Sequence, residues 1–244
     1  MDDAVFDSGY LSHSGFRDAF TRTFGAMPGE GKGTDSVTLG WIESALGPLL
    51  AGADDRGVCL LEFSERRKLE AQLATLCRRL GRPLVPGENA LLARLRSELA
   101  EYFAGRRRAF ELPLHAPGTA FQERVWSELL LIPYGEVRSY EEIARRIGAP
   151  KAVRAVGRAN GMNRIAIVIP CHRVVGKDGS PVGYGGGVRR KEWLLNLERG
   201  ASQSIQPGLP IVGFPTPPPG AASTAHAGPG PAQCRRPGPL PATE

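Results

Sequence analysis

Residues 139–159 read SYEEIARRIGAPKAVRAVGRA, and how this stretch folds decides the architecture of the second half of the chain. Ser139 and Glu142 stand three apart, as the two members of a capping box do, so the spacing predicts a helix opening here. It would carry Ile143, Ala144 and Ile147 on one face and stop at Gly148. Pro150 suits the first turn of a following helix, KAVRAVGRA, because an N–H at that position has no intrahelical partner anyway. Val153 and Val156 would share one face of that helix, which also carries Lys151, Arg154 and Arg158. Two short helices joined by a Gly-containing turn read as a helix-turn-helix, a motif that sets its second helix in a DNA groove but also occurs as a plain packing unit.

Charge bears on that choice. The formal net charge is +6, yet residues 138–199 alone hold thirteen Lys or Arg against five Asp or Glu, a local excess of eight. A basic segment of this density suits a polyanion such as nucleic acid, although a solvated basic face would look the same. The chain has 244 residues, 41% apolar and 23% charged, enough for one or two packed domains. No apolar run approaches the roughly 20 residues of a membrane span, and MDDAVFDSGY lacks the features of a secretion signal, so a cytoplasmic protein is expected.

Upstream of the opening stretch, Thr119 and Gln122 form another capping box ahead of Phe121, Val125, Leu129 and Ile132, a helix ending near Pro133 and Gly135. Further back, residues 37–42 and 57–63 look like strands joined through 46–52, the makings of a small antiparallel sheet. Leu69, Leu73, Leu76 and Leu80 recur at helical spacing, and so do Leu92, Leu95, Leu99 and Phe103. Cys59 and Cys77 fall on these apolar faces, where cysteine acts as a small hydrophobe.

Downstream lies IAIVIPCHRVV, residues 165–175. The β-branched run predicts a strand that Pro170 ends, delivering Cys171 at the tip of a rigid element. The four cysteines are scattered without a Cys-x-x-Cys pair, so neither a disulfide framework nor a zinc site is suggested and the chemistry at Cys171 would be that of a thiol. A thiol needs a base or nearby cations to become a nucleophile, and His172, Arg173 and Arg154 are candidates. Neighbours on an extended segment point to opposite sides, so His172 reaches Cys171 only if the backbone bends or a water bridges them.

Six motifs in one order, over about residues 36–200, carry a resemblance to a known family: GTAFQERVW at 118–126, YGEVRSY at 134–140, RAVG at 154–157, PCHRVV at 170–175, GYGGG at 183–187 and KEWLL at 191–195. The chain resembles the O6-alkylguanine-DNA alkyltransferases, which move alkyl groups from guanine to their own cysteine. The resemblance implies an α/β N-terminal domain of the ribonuclease-H-like kind at 36–117. A mainly helical, winged-helix-like DNA-binding domain would follow at 118–200.

It also implies roles. Cys171 would accept the alkyl group, His172 would act as base through a water, and Glu198 would orient the histidine. Guanine O6 lies within the base stack, so the nucleotide must be flipped out of the duplex. Arg154 would fill the gap, Tyr140 would help rotate the nucleotide and protonate the departing guanine, and Asn163 would brace the turn before the active-site strand. Ser139, Pro170, Val174 and Tyr184 would line or close the pocket, while Ser139, Lys151 and Arg158 would join Arg154 against the DNA. Each molecule would act once, because a thioether has no easy return to thiolate. No cofactor or metal is implied. The partner is double-stranded DNA containing alkylated bases, O4-alkylthymine being a further substrate to test, and a monomer is expected.

The ends read differently. Within residues 1–30, VFDSGYLSHSGFRDAFTRTFGAMPGE resembles the close of an AraC-type DNA-binding domain, here a remnant that suggests a truncated reading frame or misplaced start. A transcriptional regulator with repair secondary is therefore the alternative reading. A glycine-rich link at 31–35 follows the remnant, and the Pro/Gly-rich tail at 201–244, with Cys234, is expected to be disordered. A cysteine hydrolase is disfavoured, since no oxyanion-hole or second-histidine pattern accompanies Cys171.

Overall fold

Val37–Ile42 forms the first strand, β1, of a four-stranded sheet in the order β3-β2-β1-β4. The structure, a computed structural model, describes residues 35–64, 66 and 69–200. The AraC-like remnant, nearly all of the glycine-rich link and the tail with Cys234 lie outside these residues.

Leu49–Ala53 (β2) pairs antiparallel with β1 and with Val58–Phe63 (β3), whereas Leu84–Pro86 (β4) pairs parallel with β1. The sheet is therefore mixed, not antiparallel as expected. Two features of the chain explain the difference. β2, LLAGA, is buried at every position, so it lacks the alternation that marks a half-exposed strand and reads as a connection. β4 becomes parallel because helix α1 (Leu69–Leu80) carries the chain across one face of the sheet before it returns.

Each face of the sheet has its own core. Leu69, Leu73 and Leu76 of α1 pack with Val37, Leu39, Leu50, Leu60, Cys59 and Cys77. On the other face, Leu92, Leu95, Leu99 and Tyr102 of α2 (Ala90–Phe103) join Leu49, Ala51, Leu61 and Phe63 in a cluster that continues into the C-terminal half. The buried stripe of α2 thus ends on Tyr102, with Phe103 only partly covered, one residue away from the expected position. Gly52 permits close sheet packing, since a Cβ there would lie 2.8 Å from Leu39 Cδ2.

The C-terminal half holds α3 (Ala120–Leu130), the two-residue strand β5 (Arg138–Ser139), α4 (Tyr140–Arg146) and α5 (Val153–Gly161). It ends with β6 (Val174–Val175), parallel to β5, and α6 (Val188–Glu198). Both predicted capping boxes are present, at Thr119–Gln122 and Ser139–Glu142. α5 starts later than expected: Ala152 is its N-cap, and Pro150 and Lys151 belong to the preceding turn, where the Ala152 N–H bonds back to the Ala149 carbonyl. Among the described residues no helix is long and apolar enough to cross a membrane.

Candidate active site

The segment expected to be a strand, 165–169, is a turn. Ile165 makes only an isolated parallel bridge to Leu61 on the free edge of β3, held by the Leu61 N–H to Arg164 carbonyl (2.8 Å) and Ala166 N–H to Leu61 carbonyl (2.7 Å) bonds. The chain then folds back, the Ile169 N–H reaching the Ile165 carbonyl at 3.0 Å. Ile167 takes a left-handed φ of 71°, a conformation a β-branched residue adopts only under constraint.

Asn163 supplies that constraint. Its amide nitrogen donates to the Ile169 carbonyl at 2.9 Å and to Cys171 Sγ at 3.1 Å, while its carbonyl oxygen accepts from the Ile165 N–H at 2.9 Å. One buried side chain therefore spans the whole turn and touches the sulfur. Beyond Pro170, Cys171–Arg173 forms one turn of 3₁₀ helix closed by the Arg173 N–H to Pro170 carbonyl bond at 2.9 Å. Successive side chains in such a turn diverge by about a third of a revolution. The backbone does bend at the Cys-His pair, but among the described residues no direct hydrogen bond joins the His172 ring to the sulfur.

His172 is fully buried, and its Nε2 lies 2.8 Å from Glu198 Oε1, at the last residue of α6. Nε2 facing a carboxylate carries the hydrogen, which leaves Nδ1 as the basic lone pair. Nδ1 is buried without a hydrogen-bond partner among the described residues. Arg173 does not serve the thiol, contrary to expectation: its Nε and Nη2 grip Glu198 at 2.8 and 2.9 Å, and Nη1 donates to the Ile132 carbonyl at 2.6 Å. Arg154 does not serve it either, being exposed on α5.

The electrostatics follow from burial. Desolvation pushes the Cys171 thiol up to about 11, against the opposing pull of the Asn163 hydrogen bond, so the resting sulfur is protonated at neutral pH. Burial alone would raise Glu198, but hydrogen bonds from His172 and Arg173 outweigh it and hold the carboxyl far below its usual range. Arg173 already neutralises Glu198, and burial keeps His172 below its ordinary value, hence neutral and able to accept a proton.

Around the sulfur, the Tyr140 hydroxyl donates to the carbonyls of Val182 (3.1 Å) and Gly183 (3.3 Å), and burial pushes its pKa up to about 12. The Tyr184 hydroxyl is buried and unpartnered among the described residues, its ring edge-on to Phe63 at 6.2 Å. Val174 and Pro170 are buried. Ser139 is occupied as the cap of α4, accepting from the Glu142 N–H at 3.1 Å. Lys191 is fully buried and donates to the Val174 and Val182 carbonyls, burial bringing it down to about 8.

The basic helix sits above. Trp126 Nε1 donates to the Ala159 carbonyl at 2.9 Å and Val156 is buried, which anchors α5 on α3 and turns Arg154 and Arg158 outward. Lys151 is exposed beside them in the preceding turn. Sequence reasoning missed two groups: Tyr102, whose hydroxyl donates to Glu198 Oε1 at 2.6 Å, and the Glu62–Arg66 pair, through which Arg66 Nη2 reaches the Gly161 carbonyl at 2.6 Å. Tyr102 was hidden in an apolar stripe. Arg66 follows a strand, and nothing local in the sequence marks its reach across the fold.

Residues 37–116 match the ribonuclease-like domain of 6-O-methylguanine DNA methyltransferase, and 120–200 match its DNA-binding domain. A Mycobacterium leprae methylated-DNA–protein-cysteine methyltransferase is 56% identical over 112 residues, 46% of this chain and 68% of its own length. One from Methanosarcina barkeri is 45% identical over 158 residues, 64% and 94% of the two chains. With a Mycobacterium tuberculosis relative, 60% identical over 102 residues, the match spans 62% of that protein. Among solved structures, Mycobacterium tuberculosis O6-methylguanine methyltransferase superposes with a TM-score of 0.58 at 41% identity, covering 69% of this chain and 95% of that one. Mycobacterium tuberculosis OGT in complex with DNA gives 0.58 at 42%, covering 68% and 93%.

Fold and site thus define a two-domain methylated-DNA–protein-cysteine methyltransferase, a ribonuclease-like domain with a small mixed sheet followed by a helical DNA-binding domain that bears the thiol. The chain belongs to the 6-O-methylguanine DNA methyltransferase family.

Proposed function

We infer that this protein repairs DNA by moving the alkyl group of O6-alkylguanine onto its own Cys171, once per molecule. The observation that carries this reading is the sulfur held by Asn163 at 3.1 Å beside the His172–Glu198 pair, in a chain of this family. The thiol proton passes through a water to His172 Nδ1, and the sulfur attacks the alkyl carbon. A C–S bond forms, the C–O6 bond breaks, and its electron pair leaves with guanine, which Tyr140 protonates. Desolvation makes that phenol a proton donor at rest, as the step requires.

The thiol is buried, so the base must come to it. Flipping costs a few kcal/mol of stacking and pairing, least for a damaged base. Arg154 would fill the vacated space from α5, with Lys151 and Arg158 against phosphates, where contacts carry little sequence information. Val174, Pro170 and Tyr184 would line the base pocket. In this reading the protein acts as a monomer on double-stranded DNA. The β5–β6 pair would form the wing beside the helix-turn-helix of α4 and α5, and the N-terminal sheet would be of the ribonuclease-H-like kind.

The test is to incubate the protein with duplex DNA bearing O6-methylguanine and examine the Cys171 peptide by mass spectrometry. One methyl group per molecule is expected, and Cys171→Ala should bind the duplex without transfer. Absence of the adduct in wild-type protein defeats the reading; repeated turnover defeats the single-use mechanism. The regulator alternative rests on residues 1–30, outside the described residues, and repair is the function that the family match supports.

A further inference from the structure

Glu198 Oε1 accepts three hydrogen bonds, from His172 Nε2, Arg173 Nη2 and the Tyr102 hydroxyl. The first two donors directly follow Cys171 in the chain. The third comes from α2, 96 residues away and on the sheet side of the molecule. Tyr102 is fully buried, its ring wedged among Phe103 (5.6 Å), Phe110 (5.4 Å) and Tyr134 (6.1 Å). Those contacts fix the hydroxyl in one place, and its bond to the carboxylate is the shortest of the three, at 2.6 Å against 2.8 and 2.9 Å.

An acceptor oxygen with three donors shares its charge among them, and each donor weakens the pull on the others. We propose that Tyr102 is a positioning residue for alkyl transfer: its hydroxyl holds Oε1 of Glu198 and limits how strongly that oxygen draws on the imidazole, so that His172 stays neutral until the thiol proton arrives. This rests on the repair reading above. The N-terminal domain would then complete the relay, not merely support it. The other charged or titratable groups around the pair are Arg173 and Lys191, which disfavour a second positive charge at His172, and Tyr134, which faces Glu198 with Arg108 against its ring. Tyr134 also packs against the Tyr102 ring, a contact that Tyr102→Phe keeps because it removes the hydroxyl alone.

The experiment measures the single-turnover rate at saturating O6-methylguanine duplex between about pH 5.5 and 8.5 for wild type, Tyr102→Phe and Phe110→Leu. A hydrogen bond to an ionised group bears on rate by roughly tenfold, and Tyr102→Phe should lose about that much at neutral pH. Its acid limb should move up by roughly one pH unit as His172 becomes more basic, with affinity for undamaged duplex unchanged. Phe110→Leu loosens the same aromatic cluster without touching Glu198, and should lower the melting temperature but leave the limb in place.

If Tyr102→Phe folds poorly, 3-fluorotyrosine at position 102 gives a stronger donor of nearly the same shape, and the limb should move down. An unmoved limb in the Phe and fluorotyrosine proteins, or an equal shift in Phe110→Leu, overturns the proposal. Failure of the wild type to form the adduct would instead sink the repair reading itself.

Discussion

Five hydrogen bonds converge on the carboxylate of Glu198, from Tyr102, Gly135, His172 and twice from Arg173. Without them a buried charge would be costly; with them, losing the carboxylate strands the Arg173 guanidinium. Glu198→Ala should therefore destabilise the fold by roughly 3–5 kcal/mol in denaturant melts. Glu198 and His172 both have pKa values depressed by the fold, so each contributes stability that is present above its ordinary value and lost as pH falls. Melting temperature should accordingly decline from about pH 6.5 downward, and His172→Gln should flatten the first part of that decline. An unchanged slope in this variant would show that His172 titrates normally. At this scale the family resemblance brought Cys171, His172, Asn163 and Glu198 forward, and the structure sets Asn163 against the sulfur and His172 against Glu198. Tyr102 was not, because a tyrosine continuing a leucine stripe looks like core until its hydroxyl is seen to end on a carboxylate.

Helices were legible where capping chemistry and apolar periodicity agreed, as in α3 and α4 with their paired Ser/Thr and Gln/Glu. Strands were harder to read. β2 is covered on both faces and shows no alternation, and 165–169 has the composition of a strand but bridges the edge of β3 at Ile165 alone. Local preference lost to the Asn163 hydrogen bonds, and β-branched residues went into a turn. The α4 cap matters for more than helix stability, since Tyr140 is the first residue after it. Ser139→Ala should cost about 1 kcal/mol in thermal or chemical melts. It should also slow transfer at saturating DNA, because the N-terminal turn that carries Tyr140 frays. A variant that melts lower but transfers at the wild-type rate would separate the cap from the tyrosine.

For the whole molecule, the excess of eight positive charges in 138–199 sets the terms of DNA encounter. Affinity for undamaged duplex should fall linearly with salt on logarithmic axes, and removing one phosphate-bound cation should lower the slope by about one. Lys151→Ala and Arg158→Ala are expected to do this. Arg154→Ala should mainly slow transfer, with a circular dichroism spectrum like that of wild type; a collapsed fold would mean that the arginine is structural. The charge excess was visible in the composition, but its outward display on α5 depends on Trp126 and Val156 holding the opposite face.

The convergence on Glu198 also bears on when, under the proposed mechanism, the protein would become competent. On the proposed mechanism the nucleophile and its base leave the ribosome together at 171 and 172, the carboxylate that orients the base follows 26 residues after His172, and the phenol beside that carboxylate precedes it by 96 residues. A nascent or prematurely terminated chain ending before residue 198 would carry the sulfur without the relay and with Arg173 lacking its carboxylate. On that mechanism Cys171 would gain its full set of partners only once synthesis has reached the last turn of the last described helix.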